Sequence, residues 1–108
     1  MALFDWLLNK RSPTYWRKKA RSRFEEGQHP KALKVYDRAI ELAPNDVALW
    51  IGKATALAAL KRTEEALAAY KRAIALDPGR VEFWDRAIEL APSDVVLWIG
   101  KATALAAL

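Results

Sequence analysis

Arg17 and Arg21 stand four residues apart. On a helix that spacing puts two guanidinium forks one turn apart on one face, a pairing that can grip a carboxylate or a phosphate. The other residues able to do chemistry are scattered. His29 is the only histidine, next to Pro30, where it flanks or caps a helix, and no Cys or further His is present to build a metal site with it. Glu25/Glu26 and Glu64/Glu65 are adjacent pairs, and neighbouring side chains on a helix diverge, so they read as dipole and solubility residues and not as an acid–base couple. Ser12, Ser22 and Ser93 have no base nearby, and Gly52 and Gly100 are isolated within helical stretches, with no glycine-rich phosphate loop. The expectation is a protein that is not an enzyme and needs no cofactor, metal or small-molecule substrate.

The basic character is uneven. Residues 1–24 hold seven Lys/Arg against one Asp, and residues 25–108 hold eleven against twelve Asp/Glu. The 53% apolar content, with five tryptophans, argues for a folded chain, and the lack of cysteine excludes disulfides and thiolate chemistry. The opening MALFDWLLNKR lacks a basic leader and a small-residue cleavage site, and no apolar run reaches membrane-spanning length. A cytoplasmic location is therefore expected.

The elements that must position Arg17 and Arg21 are set by repetition. Residues 37–60 return as 85–108 with 22 of 24 residues unchanged, the exceptions being Asn45/Ser93 and Ala48/Val96. A second period is 34: Trp16, Trp50 and Trp84 are separated by it, as are Ala32/Ala66, Tyr36/Tyr70, Ala39/Ala73 and Pro44/Pro78. This period and these residue types resemble the tetratricopeptide repeat, with its W-x2-L-G-x2-Y, A-x3-F and P positions. The resemblance covers Pro13–Arg80 and, in a shifted register, Asp85–Leu108. It implies an all-α, α-α superhelix of antiparallel helix pairs, about seven helices in all. Small residues at Ala20, Ala32, Ala54 and Ala66 let paired helices approach, while Pro44 and Pro78 end each second helix. Lys19 and Lys53 in place of Leu, and Arg23 in place of an aromatic, depart from the pattern without changing the fold it implies.

The expected layout is a short capping helix over Ala2–Asn9 with a basic linker to residue 12, repeat one over 13–46, repeat two over 47–80, and a truncated unit over 81–108. Ser12 and Thr63 are expected as N-caps, and Gly27 as the stop of the first repeat helix. In the last unit the long copy lies 48 residues on and not 68, as if about 20 residues had been removed. Trp84 thus aligns with Trp50 in one register and Tyr36 in the other. One hybrid helix over 80–90 and an unpaired helix over 94–108 follow. The unpaired helix is expected to leave Leu97, Ile99, Ala102, Leu105 and Leu108 uncovered. Burying several hundred Å2 of such a face contributes on the order of 10 kcal/mol before entropy losses, which predicts a homo-oligomer formed by domain exchange or end-to-end stacking, unless the hybrid helix folds back to cover it.

The resemblance also implies a function: a protein–protein interaction scaffold holding an extended peptide or a partner helix in the concave groove of its A helices. Positions that usually face that groove fall on Thr14, Arg17, Arg21, Phe24 and Glu25, then on Ala48, Ile51, Thr55, Ala58 and Ala59, and in the last helix on Val96, Ile99, Thr103, Ala106 and Ala107. Chaperone-tail-binding members use Lys and Asn at the places of Arg17 and Arg21, and an Asn where this chain has Gly52. Two further readings rest on residues alone. The near-perfect copy and the omitted stretch suit an engineered or truncated self-assembling array. The cluster Lys10, Arg11, Arg17, Lys18, Lys19, Arg21 and Arg23, beside the apolar Leu3–Leu8, suits docking of residues 10–23 to an anionic membrane or nucleic acid.

Overall fold

The computed structural model describes residues 12–108, in six helices: α1 (Pro13–Glu25), α2 (His29–Leu42), α3 (Val47–Ala59), α4 (Thr63–Leu76), α5 (Val81–Leu90) and α6 (Val95–Ala106). The helix expected over Ala2–Asn9, with Lys10 and Arg11, lies outside the described residues. Each helix packs on the next in antiparallel fashion, α1 also touches α3, and the result is an elongated body of 53 × 29 × 18 Å. It is an all-α superhelix.

Two kinds of turn alternate along it. After α1, Gly27 takes a left-handed φ of 78°, and the amides of Gly27 and Gln28 donate to the carbonyls of Phe24 and Arg23. After α3 the same double closure recurs, with Lys61 at φ 63° and the amides of Lys61 and Arg62 donating to Ala58 and Leu57. This turn displaces one expected cap. Arg62, not Thr63, is the N-cap residue of α4, and its guanidinium grips Glu65 at 2.6 and 3.0 Å instead of Thr63 capping the helix through its hydroxyl. Ser12 does hold the N-cap position of α1, but its hydroxyl makes no cap hydrogen bond.

The second kind of turn precedes α3, α5 and α6. Asp46 and Asp94 cap α3 and α6 by accepting from the amides of Ala48 and Val96, each at 3.1 Å. Trp50, Trp84 and Trp98 each donate an indole N–H to the proline carbonyl six residues earlier, Pro44, Pro78 and Pro92, at 2.7, 2.9 and 2.8 Å. The tryptophan locks the incoming chain against the first turn of its own helix.

Small residues make the helix crossings close. Ala20, Ala32 and Ala39 are fully buried around Leu49 and Tyr36, and Ala54, Ala66 and Ala73 are fully buried around Leu57 and Tyr70. Tyr36 lies so near Gly52 that its ring occupies the space a Cβ there would need.

α5 covers the stretch expected as a hybrid helix, and Trp84 makes two contacts from it. Its indole makes the proline bond of a first helix, while its ring covers Gly100 as Tyr36 covers Gly52. Lys101 pairs with Asp85 at 2.6 Å just as Lys53 pairs with Asp37 at 2.8 Å. The α5–α6 joint is therefore built as the α2–α3 joint is.

A concave groove between the first and third helices

α1 presents Arg17, Arg21 and Phe24 at successive turns, and α3 presents Ile51 and Thr55 opposite them. These five residues line one cavity of about 470 Å3 with Glu25 and Ala48, two further expected groove positions, and with Gly52 and Tyr36. Thr14 and Ala59 are exposed and lie outside the lining, beyond the two ends of the stretch where α1 and α3 face each other.

The arginines are held from one side. Arg17 Nη1 donates to Asp46 Oδ2 at 3.3 Å, tying α1 to the residue that caps α3. Arg21 pairs with Glu25 at 3.5 Å, both side chains being mostly exposed, so that contact contributes little to stability and leaves the guanidinium ready to exchange partners. A guanidinium has five N–H donors, and neither pairing uses them all. Thr55 closes the opposite wall, its hydroxyl donating to the Ile51 carbonyl at 2.8 Å.

Tyr36 and Gly52 form the floor and were not among the residues expected there. A signal for them exists: an aromatic precedes a helical glycine by 16 residues at both Tyr36/Gly52 and Trp84/Gly100. Burial raises the Tyr36 hydroxyl above its usual value of 10.0, Arg21 pulling it down and Glu25 pushing it up by lesser amounts. The phenol thus stays neutral and can both donate and accept in the groove. Since the folded state holds this proton more tightly than the unfolded chain, its contribution to stability is complete below pH 10 and is lost as pH rises past that value. Urea midpoints at about pH 9 and about pH 11 are expected to diverge less for Tyr36→Phe than for the parent chain; equal divergence would remove Tyr36 as the cause.

His29 is the first residue of α2, its ring 4.6 Å from Phe24, with Nδ1 buried and unpartnered. It packs behind the groove and not in it. Among the described residues no group of His, Asp or Glu is placed to hold a metal ion, and no helix is long and apolar enough to cross a membrane.

On α6 the expected open face is present with one correction. Ile99 is 60%, Leu105 49% and Leu108 86% exposed, and Ala102 is exposed, but Leu97 is 2% exposed. Leu97 corresponds to Leu49 and turns toward the preceding helix, where α5 covers it along with Ala104. The hybrid helix thus folds over half of α6 and leaves the other half open.

Comparison with known proteins gives the architecture its family. The tetratricopeptide repeat model matches residues 17–81. Protein STIP1 homolog of Dictyostelium discoideum is 33% identical over 70 residues, 65% of this chain and 12% of that protein. The TPR repeat-containing thioredoxin TTL4 of Arabidopsis thaliana is 42% identical over 55 residues, 51% of this chain and 8% of that protein. The chain therefore spans about an eighth or less of these relatives' lengths. Among solved structures, the TPR2AB domain of yeast Sti1 in complex with pHSP90 superposes with a TM-score of 0.78 at 26% identity, over 89% of this chain and 40% of that one. The TPR2B domain of yeast Sti1 in complex with pHsp70 gives 0.76 at 26% identity, over 89% and 82%. With more than half of its length matched, the chain belongs to the tetratricopeptide repeat family.

Proposed function

We propose that this interaction scaffold binds an extended acidic peptide in the groove between α1 and α3. The observation that carries the reading is the placement of Arg17 and Arg21 in one cavity with the Tyr36 hydroxyl and the apolar Ile51 and Phe24. Two guanidinium forks offer paired donors to a carboxylate, the neutral phenol adds a hydrogen bond, and the apolar wall takes one aliphatic side chain. The similar Sti1 domains are bound to Hsp90 and Hsp70 peptides, which supports a peptide as ligand. Gly52 stands where chaperone-tail binders carry Asn, so the ligand for this chain is described by its chemistry, an acidic stretch with an adjoining aliphatic residue.

In fluorescence anisotropy with labelled acidic heptapeptides, Arg17→Glu with Arg21→Glu is expected to weaken binding at least tenfold, and added salt to weaken the parent complex. Thr55→Trp, which narrows the cavity without altering charge, is expected to weaken it too. Binding indifferent to both variants would sink the groove reading.

A second reading is favoured by the row of exposed apolar residues on α6, which suits association with another chain, a homo-oligomer included. Docking of residues 10–23 to an anionic surface would draw on the same Arg17 and Arg21, and the apolar Phe24 and Ile51 beside them favour a peptide over a bare anionic surface.

A further inference from the structure

Each arginine of the groove already holds a carboxylate of its own chain. Arg17 Nη1 donates to Asp46 Oδ2 at 3.3 Å, from α1 to the residue before α3, and Arg21 meets Glu25 one turn along α1 at 3.5 Å. Two cations stand against two anions, so the formal charge of the group is zero. A ligand carboxylate entering here exchanges one partner for another and gains little from charge alone.

Asp46 is placed for that exchange. Its Oδ1 accepts the Ala48 amide at 3.1 Å and caps α3, while its Oδ2 reaches Arg17. Letting go of the guanidinium therefore leaves the cap intact. Asp94 divides its oxygens in the same way, between the Val96 amide at 3.1 Å and Lys71 at 3.5 Å, but Lys71 lies outside the groove lining. The copy at Asp46 touches a groove cation. Glu25 lines the same cavity as Arg21 and is mostly exposed, so water can take over its carboxylate when a ligand displaces it. What a ligand adds beyond the exchange is contact with Ile51 and Phe24, the apolar part of the cavity.

We infer that Asp46 and Glu25 are resident competitors for Arg17 and Arg21, and that they restrict the groove to acidic peptides carrying an aliphatic residue. An anion without an apolar part, such as an unbroken run of Asp and Glu, meets occupied cations, gains nothing further and is turned away. This rests on the reading of the groove as a peptide site and gives that site two specificity-determining residues.

The test is anisotropy with the whole chain and two labelled heptapeptides, one acidic with a single leucine and one with that leucine replaced by alanine. The parent chain is expected to bind the leucine peptide, and to bind the alanine peptide about tenfold more weakly. Neutralising the competitors with Asp46→Asn and Glu25→Gln should tighten the alanine peptide about tenfold at low salt, an advantage that fades as salt is added. Asparagine keeps an oxygen for the Ala48 amide, and an unchanged urea midpoint confirms that the variant folds. Glu25→Gln alone, which touches no cap, should give a smaller tightening in the same direction. Glu41→Gln with Glu89→Gln makes the same change in net charge at exposed sites outside the cavity, and should leave both affinities within about twofold. Equal tightening by the two pairs of changes would reduce the effect to overall charge and overturn the inference. No tightening by Asp46→Asn with Glu25→Gln, while Arg17→Glu with Arg21→Glu still abolishes binding, would overturn it too and leave the groove reading standing. Weaker binding by Asp46→Asn would make Asp46 a strut for Arg17 and not its competitor, which likewise overturns the inference. If Arg17→Glu with Arg21→Glu leaves binding unchanged, both readings fall together.

Discussion

Leu57→Ala is expected to lower the unfolding free energy by about 2–5 kcal/mol, while Leu105→Ala costs less than about 1 kcal/mol. The two leucines sit in the same eight-residue sequence, GKATALAA, on the same kind of helix, so intrinsic propensity is identical and cancels from the comparison. Only burial separates them: Leu57 is 1% exposed under α4 and Leu105 is 49% exposed. Removing Leu57 loses the transfer term and opens a cavity among alanines that are already in contact and have nothing with which to fill it. For a small array whose whole stability lies in the range of about 5–15 kcal/mol, that is a large share. Urea unfolding followed by circular dichroism at micromolar concentration measures both. Equal costs would mean that the α6 face is covered in solution. A cost for Leu105→Ala that grows with protein concentration would show that another chain covers it.

The second large effect is expected at Gly52. In an ordinary exposed helix interior, replacing glycine stabilises by about 1 kcal/mol. Here the Tyr36 ring lies where the first side-chain carbon would go, and Tyr36 is 7% exposed and enclosed by the alanines of α1 and α2. Gly52→Leu should therefore reverse the sign and destabilise by about 3 kcal/mol, with the groove floor disrupted at the same time. At Gly100 the obstacle is Trp84, which is only partly buried and can lean outward, so Gly100→Leu should cost clearly less. A double-mutant cycle of Gly52→Leu with Tyr36→Ala checks the cause. The pair should be coupled, with the second change recovering part of the first, and additivity would exclude the ring as the obstacle.

The order of helices was legible because repetition carries it. Identical spacing of Trp50 and Trp84 and the recurrence of residues 37–60 place every joint, and even the double register of Trp84 follows from aligning the chain with itself. Three particulars were not legible. Leu97 belongs to the same apolar row as Leu105 in a helical projection, and only the direction of the preceding helix separates the covered residue from the open one. The Arg62 cap was hidden by Thr63, a better capping residue by type, because the left-handed turn at Lys61 moves the helix start by one position and brings Glu65 within reach of the guanidinium. The groove was legible as a set of positions on α1 and α3. Its floor was not, since Tyr36 comes from α2 and enters the cavity only because Gly52 lacks a side chain.

Trp84 has a consequence for how such chains can be cut and rejoined. A single indole bonds back to Pro78, as the start of one helix requires, and presses forward on Gly100, as the end of another requires. About 20 residues separate these roles in the intact period, yet the joints on both sides retain their hydrogen bond and ion pair without them. What is kept over this shorter interval is the contact between consecutive helices and not the 34-residue spacing. The interchangeable part of this architecture is therefore the joint, and any position where one side chain can serve two joints is a place where the array can change length without losing continuity.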